Sequence, residues 1–384
     1  MTGCDSPTGR RILVDGSMAR SGGGFTYLVN IIPQLAAAHP EDRFRLLIRS
    51  PRIAGSLPAA PNLAVDLLPD IGWAGRLSFI ALEAPRLALK WGADVYFSAG
   101  EFVPLRAHCP VIASFRNPNV FTPMDQGWPL KQRVRLGVIR TLARISAATC
   151  ARILFVSEDS ARWIGDVMGL PPERRAVVHH GIDAAAWAPA RRRDSGDATV
   201  PFILSVSSVY RYKNYVRLIE AYQELAHRSP NVPDLVIIGD DQDPAYSRQM
   251  QEARLATGDL ADQIHILGEV PYAEIKRYYA RAALFVFPSY LETFGHPLLE
   301  AMASDVPAVA ADIPVFREIG GDAAFYADPH EAKALADAMH DALFLSDARE
   351  ALVKRGRARV QEFGWSRTAA RLSDLFDTVI AEAH

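Results

Sequence analysis

Two carboxylates frame a glycine turn in the stretch Glu292-Thr293-Phe294-Gly295-His296-Pro297-Leu298-Leu299-Glu300. The run before it, Leu284 to Phe287 closed by Pro288 and Ser289, has the composition of a buried strand, and the run after it reads as a helix with Glu300 in its first turn. A helix starting near Gly295 or Pro297 offers unpaired N–H groups and a positive dipole end, which suit a phosphate. A carboxylate beside such a site needs another partner, and neutral hydroxyls are the obvious one. The motif therefore reads as a pocket for a ligand with both phosphates and hydroxyls, such as a nucleotide sugar. His296 either orients that ligand or fills the turn. Glu318, after Ile313-Pro-Val-Phe, is better explained as a cap or a solvent-facing acid.

A second loop, Ser205 to Asn214, follows a strand-like run and precedes a helical one. Lys213 can supply a point charge to a pyrophosphate and Arg211 a second, while Asn214 stands where its side chain can cap the next helix. Loop cations are ordinarily just solvated; their place at a strand's carboxyl end favours function for Lys213 more than for Arg211. In the first half, Gly22, Gly23 and Gly24 form a glycine loop after the first strand, able to approach a ligand closely or to serve as a plain connection. Their spacing is not the dinucleotide fingerprint, and no ribose-binding acid follows the second strand, which disfavours a nicotinamide cofactor. Arg116 and Asn117 lie just past another strand, where a ligand role and a proline-punctuated turn explain them equally. Adjacent His179 and His180 diverge on an extended segment, which favours a structural or hinge role over zinc.

Six positive charges, Lys131, Arg133, Arg135, Arg140, Arg144 and Arg152, fall between Asp125 and Glu158 with no acid among them. Leu136, Val138, Ile139, Leu142 and Ile145 are interspersed, so the segment reads as a basic amphipathic helix. It suits an anionic leaflet, or it turns its apolar face inward.

These groups need a frame. At 384 residues, with 49% hydrophobic composition, the chain supports two cores. Lys and Arg number 42 against 44 acids, a formal charge of -2 that gives no global drive toward nucleic acid. Cys4, Cys109 and Cys150 are too scattered for a disulfide framework or a zinc site, and fit a reducing compartment. The N-terminus, with Asp5, Arg10 and Arg11, does not resemble a signal peptide, and no run of about 18 apolar residues suggests a span.

Short β-rich runs alternate with helical patterns, the signature of parallel sheets covered on both faces. Strands are expected at 12–15, 44–48, 95–97, 111–114, 153–157 and 177–178, with helices near 25–38, 76–90, 130–147 and 159–168. Residues 184–199 read as a linker. The alternation resumes with strands at 202–206, 235–238, 264–267, 284–287 and near Val309, and helices over 215–228, 245–257, 272–281 and 297–304. The result is α/β: a Rossmann-like domain over 10–185, a second over 200–365, and a final helix, within 366–384, packing back on the first.

Taken together, the glycines at 22–24, His179-His-Gly-Ile-Asp183, Lys213-Asn214, Leu267-Gly-Glu-Val-Pro271, Glu292 with Glu300, and Gly321 to Pro329 resemble the retaining glycosyltransferases of family 4. The resemblance spans most of the chain, and the spaced acid pair is its specific part. It implies the GT-B fold, two Rossmann-like domains whose parallel sheets face across a deep cleft. By the same resemblance Lys213 would hold the donor diphosphate, Glu292 the transferred sugar and Glu300 the ribose. Gly23, Gly24, Ser208, Arg211, Thr293, Phe294, Gly295, His296 and Leu298 would complete the donor site, with Arg116 and Asn117 beside the reacting centre. Ser208 stands where the family commonly has arginine, and Arg116-Asn117 where many members have histidine.

The implied reaction moves a hexose, foremost mannose from GDP-mannose as in similar bacterial polysaccharide mannosyl- and rhamnosyltransferases, to a glycan or lipid-linked oligosaccharide. It requires no metal or other cofactor and belongs in the cytoplasm or on the inner face of the membrane. A UDP-sugar or deoxysugar donor, a nucleotide-sugar epimerase and a non-catalytic binding protein are the competing readings.

Overall fold

The computed structural model describes residues 9–19, 22–122, 130–188 and 201–384. Cys4, Asp5, Asp125 and the expected linker from 189 onward lie outside them. The chain divides into two units, one running to Gly181 and resuming at Trp365–His384, the other Ile182–Gly364.

The first unit holds seven parallel strands: β1 Arg11–Asp15, β2 Arg43–Ile48, β3 Leu63–Leu67, β4 Val95–Ser98, β5 Val111–Ser114, β6 Arg152–Phe155 and β7 Arg175–Val177, ordered β3-β2-β1-β4-β5-β6-β7. Their inner members are apolar on both faces, because each face carries its own core. On one side the helix Gly22–Ala38 and the C-terminal helix Trp365–Ala383 close over Ile12, Phe44 and Phe97, burying Tyr27, Ile31, Leu372 and Phe376. On the other, Ala143 and Ala147 of the helix Leu130–Thr149 pack with Tyr96, Phe115 and Phe155.

The second unit holds six parallel strands: β8 Phe202–Val206, β9 Leu235–Ile238, β10 Ile264–Gly268, β11 Ala282–Phe287, β12 Ala308–Ala311 and β13 Phe325–Ala327, ordered β10-β9-β8-β11-β12-β13. The order reverses between β1 and β4 in the first sheet and between β8 and β11 in the second. Loops leaving such neighbours diverge and open a crevice at the strands' carboxyl ends, which is where doubly wound sheets bind ligands.

Several expectations need correction. Gly22, Gly23 and Gly24 are not a loop; they begin the helix Gly22–Ala38. The strand expected at 153–157 stops at Phe155, because Ser157 accepts the Ser160 N–H and caps the helix Glu158–Met168. Ala184–Trp187 is a short helix in the second unit, fixed by buried Trp187. Edge strands β3 and β13 escaped notice because one is half solvated and the other spans three residues.

The His179-His180-Gly181 segment is structural. His180 is buried between the rings of Tyr27, at 5.0 Å, and Trp365, at 6.0 Å. A Cβ at Gly181 would lie 2.5 Å from the Trp365 backbone nitrogen, so only glycine allows this approach.

Candidate active site

The loop after β8 and the loop after β11 emerge side by side at the reversal of the second sheet, and they are sewn together. The Tyr290 N–H donates to the Tyr212 carbonyl at 3.0 Å, and the Ser289 hydroxyl to the same oxygen at 3.1 Å. Asn214 adopts φ +63° and does not cap the next helix as expected. Its amide instead donates to the carbonyls of Pro288, at 3.1 Å, and Pro329, at 2.6 Å, tying the loops after β8, β11 and β13 to one another.

This frame delivers Lys213 and Glu292 to each other. Their ammonium and carboxylate form a direct ion pair, each side chain 11% exposed, with the Lys213 nitrogen 5.1 Å from the Tyr212 ring centroid and 5.6 Å from that of Phe287. Such a pair is costly to desolvate and costly to break one-sidedly, by about 3 to 5 kcal/mol when one partner is removed. A nearly buried charge pair at the carboxyl ends of β8 and β11 stands where packing alone would be better served by apolar residues.

Gly295, at φ +97°, makes the turn into the helix His296–Ala303, and a Cβ there would lie 2.8 Å from the Phe316 ring. Thr293 and Phe294 are buried beside it, and His296 packs on Phe294 at 4.9 Å. Two assignments change. Leu298 is fully buried and its N–H is bonded to the Gly295 carbonyl, so it belongs to the core and not to a ligand surface. Glu300 opens the second helical turn, where the dipole no longer explains it.

Glu300 is 7% exposed. Tyr272 donates to its Oε1 and Tyr279 to its Oε2, each at 3.2 Å. Burial pushes its carboxyl up to about 7, against the two phenol hydrogen bonds and the Lys276 charge, which favour the ionised form. Neither tyrosine was singled out from the sequence, although their seven-residue spacing on one helix was the available signal.

Arg211 stands against Tyr246. Its guanidinium lies 5.6 Å from the Tyr246 ring and lines a cavity of about 380 Å³ with Arg217, Glu220, Gln249 and Tyr290. Ser208 is half-buried in the same loop, and Glu318 is half-buried on the helix Pro314–Gly320.

In the first unit, Arg116 donates to the Ala99 carbonyl and lies 4.5 Å over the Tyr27 ring. Asn117 is exposed and caps the turn Pro118–Val120 through the Asn119 N–H, while its own N–H donates to Glu101 at 3.3 Å. Burial raises the Glu101 carboxyl, which no local sequence signal marks. Among the described residues a Cβ at Gly23 would meet nothing within 4 Å, and one at Gly24 would meet Ala19, its methyl at 3.2 Å. Among the described residues, His39, Glu41 and Asp42 are spaced for a metal, but they sit in the turn before β2, and Asp42 is held by Arg10.

Residues 190–359 match the family described as Glycosyl transferases group 1, and residues 21–186 match Glycosyltransferase Family 4. The chain is 29% identical over 209 residues to the O-antigen chain mannosyltransferase RfbU of Salmonella typhimurium, covering 54% of this chain and 56% of that one. It is 29% identical over 231 residues to a phosphatidyl-myo-inositol mannosyltransferase of Mycolicibacterium smegmatis, covering 58% and 56%. The matched stretch thus spans about half the length of these curated relatives. Among solved structures, sucrose-phosphate synthase from Thermosynechococcus elongatus aligns with TM-score 0.72 at 19% identity, over 97% of this chain and 100% of that one. Anabaena Alr3699/HepE in complex with UDP-glucose aligns with TM-score 0.72 at 16% identity, over 96% and 99%. Those two likenesses establish the fold, and the family matches reach both units: the chain belongs to the family 4 glycosyltransferases of the GT-B fold.

Proposed function

We propose that the protein is a retaining glycosyltransferase that moves a hexose, foremost mannose from GDP-mannose, to a glycan or lipid-linked oligosaccharide in cell-surface polysaccharide synthesis. The observation that carries this reading is the Lys213–Glu292 pair at the sheet reversal, with Glu300 eight residues further on. Lys213 and the backbone N–H groups near Phe294 and Gly295, at the positive end of the helix His296–Ala303, meet the charge that grows on the departing diphosphate. Glu292 orients the sugar and Glu300 accepts hydroxyls of the ribose. The acceptor oxygen bonds to the anomeric carbon on the face from which the diphosphate leaves, and the acceptor proton passes to the departing phosphate oxygen. Arg116 and Asn117 shape the acceptor-side loop here, Arg116 by holding the Ala99 carbonyl and Asn117 by capping its own turn, and neither takes part in the bond exchange. The mannosyltransferase names among the relatives support mannose as the transferred sugar. A UDP-sugar is the second reading, favoured by the UDP-glucose bound in the Anabaena fold relative.

The basic helix Leu130–Thr149 supports a lipid-linked acceptor. Its core face carries Leu136, Ala143 and Ala147, yet a second apolar set, Leu130, Val134, Val138 and Ile145, faces solvent. At 100° per residue these four share one stripe, with exposed Lys131 and Arg135 on one flank and Arg133 and Arg144 on the other. An apolar ridge between cations suits an anionic lipid surface. No helix among the described residues is long and apolar enough to cross a membrane, so the contact proposed is peripheral, on the cytoplasmic face.

The test is a mass-spectrometric screen of GDP-mannose, GDP-rhamnose, dTDP-rhamnose, UDP-glucose and UDP-N-acetylglucosamine, each with and without lipid extract. Consumption of GDP-mannose with a hexose mass added to an extract component is the expected result. A sugar altered without any acceptor would indicate an epimerase, and tight binding without turnover a binding protein.

A further inference from the structure

Glu300 is held from both sides by one neighbouring helix. Tyr272 and Tyr279 sit seven residues apart on Tyr272–Arg281, so both phenols reach the same face and each takes a different oxygen of the carboxylate. Tyr279 is fully buried and also reaches the Pro297 carbonyl at 3.3 Å, whereas Tyr272 is 40% exposed. Behind them stands Trp187, whose ring meets Tyr272 edge-on at 5.9 Å and Tyr279 at 5.4 Å. The Trp187 carbonyl is in turn fixed by the Ser304 hydroxyl at 3.1 Å, just past the end of the Glu300 helix, and Lys276 lies 5.4 Å over the indole.

We propose that Tyr272 and Tyr279, braced by Trp187, are positioning residues that orient the Glu300 carboxylate toward the donor's ribose hydroxyls. The proposal rests on the reading of Glu300 as the ribose ligand. A carboxylate on a flexible two-carbon arm accepts two hydroxyls well only when its plane is fixed, and one phenol on each oxygen fixes it while leaving each oxygen a second lone pair. The packing shows why a buried glutamate is tolerable here: its charge is divided between two donors instead of being matched by an adjacent cation.

The groups that act on Glu300 are the two phenols and, at longer range, the Lys276 ammonium. His296 lies one turn earlier on its own helix. Of the other helices packed on that one, Pro314–Gly320 has Arg317 held by Asp312, and Ser346–Val360 has Arg357 held by Asp305. Because the phenols favour the ionised carboxyl, their removal moves its titration further upward from about 7. The affected window is therefore neutral pH and just above it.

The experiment is calorimetric titration of the full chain with GDP and, in parallel, UDP from pH 6 to 9, comparing the parent with Tyr272→Phe, Tyr272→Phe/Tyr279→Phe and Glu300→Ala. The double variant is expected to bind about fivefold more weakly at pH 7, with the acid limb of its affinity profile moved up by about one pH unit and most of the loss recovered at pH 9. Tyr272→Phe, half-exposed and safe for folding, should show the same displacement at smaller size. A loss equal at every pH, or no loss, would overturn the proposal, since a purely packing role has no reason to follow the titration of a carboxyl. Parent-like binding by Glu300→Ala would overturn the ribose reading beneath it, whereas loss in Glu300→Ala with parent-like tyrosine variants would remove the clamp alone.

Discussion

The two units share a topology and use their strand ends differently. In the second, side chains bond across separate elements: Lys213 to Glu292, Asn214 to two backbone carbonyls, and Glu300 to two phenols of a neighbouring helix. In the first, the polar groups at the corresponding ends are largely spent on local structure. Asp15 accepts from the Ser17 N–H and the Tyr96 hydroxyl, Ser98 donates to the Phe102 carbonyl, Arg116 to Ala99, and Asn117 caps its own turn. The contrast teaches that preorganised charge is concentrated in the second unit, where a phosphate would need it before any acceptor arrives. What distinguishes the first unit is an outward surface, the ridge of the basic helix.

The largest test of this asymmetry is Lys213→Ala, expected to lower kcat/KM by about a thousandfold with the consumed donor. The same change strands Glu292, so the unfolding midpoint is read alongside, and Lys213→Ala/Glu292→Ala should recover stability without recovering activity. Activity above a tenth of the parent's in the single variant would remove Lys213 from the chemistry. A middle-sized effect is expected on the first unit's surface. Val134→Ser/Val138→Ser should cut co-sedimentation with phosphatidylglycerol vesicles about tenfold, while turnover of a soluble acceptor stays unchanged. Retained vesicle binding would reduce the ridge to an ordinary exposed face. The smallest effect belongs to Asn117→Ala, expected to change kcat/KM less than about threefold, because its side chain caps a turn. A loss as large as that of Lys213 would erase the asymmetry.

Much of the second unit was legible in the sequence because its signals are local. An unbroken apolar run gave β11, a glycine and proline marked the turn after it, and the acids stood in register with that turn. Contacts made across the fold were not legible. Nothing in the order of residues brings Tyr272 or Trp187 to Glu300, or turns Arg211 toward Tyr246. The glycines at 22–24 misled for a physical reason. Glycine lowers helix propensity, yet tertiary packing of Tyr27, Leu28 and Ile31 starts the helix there regardless. The basic helix was found from its charges, but a one-dimensional pattern with two apolar faces could not say which face was inward.

Asn214 carries a consequence for motion. One amide group joins the loops after three different strands, so none of them can detach without breaking a bond to another. Opening of the Lys213 loop is therefore a concerted event, and its free energy is that of the linked set rather than of a single turn. In the language of amide exchange, the three loops are expected to open as one cooperative unit that carries Lys213 with it.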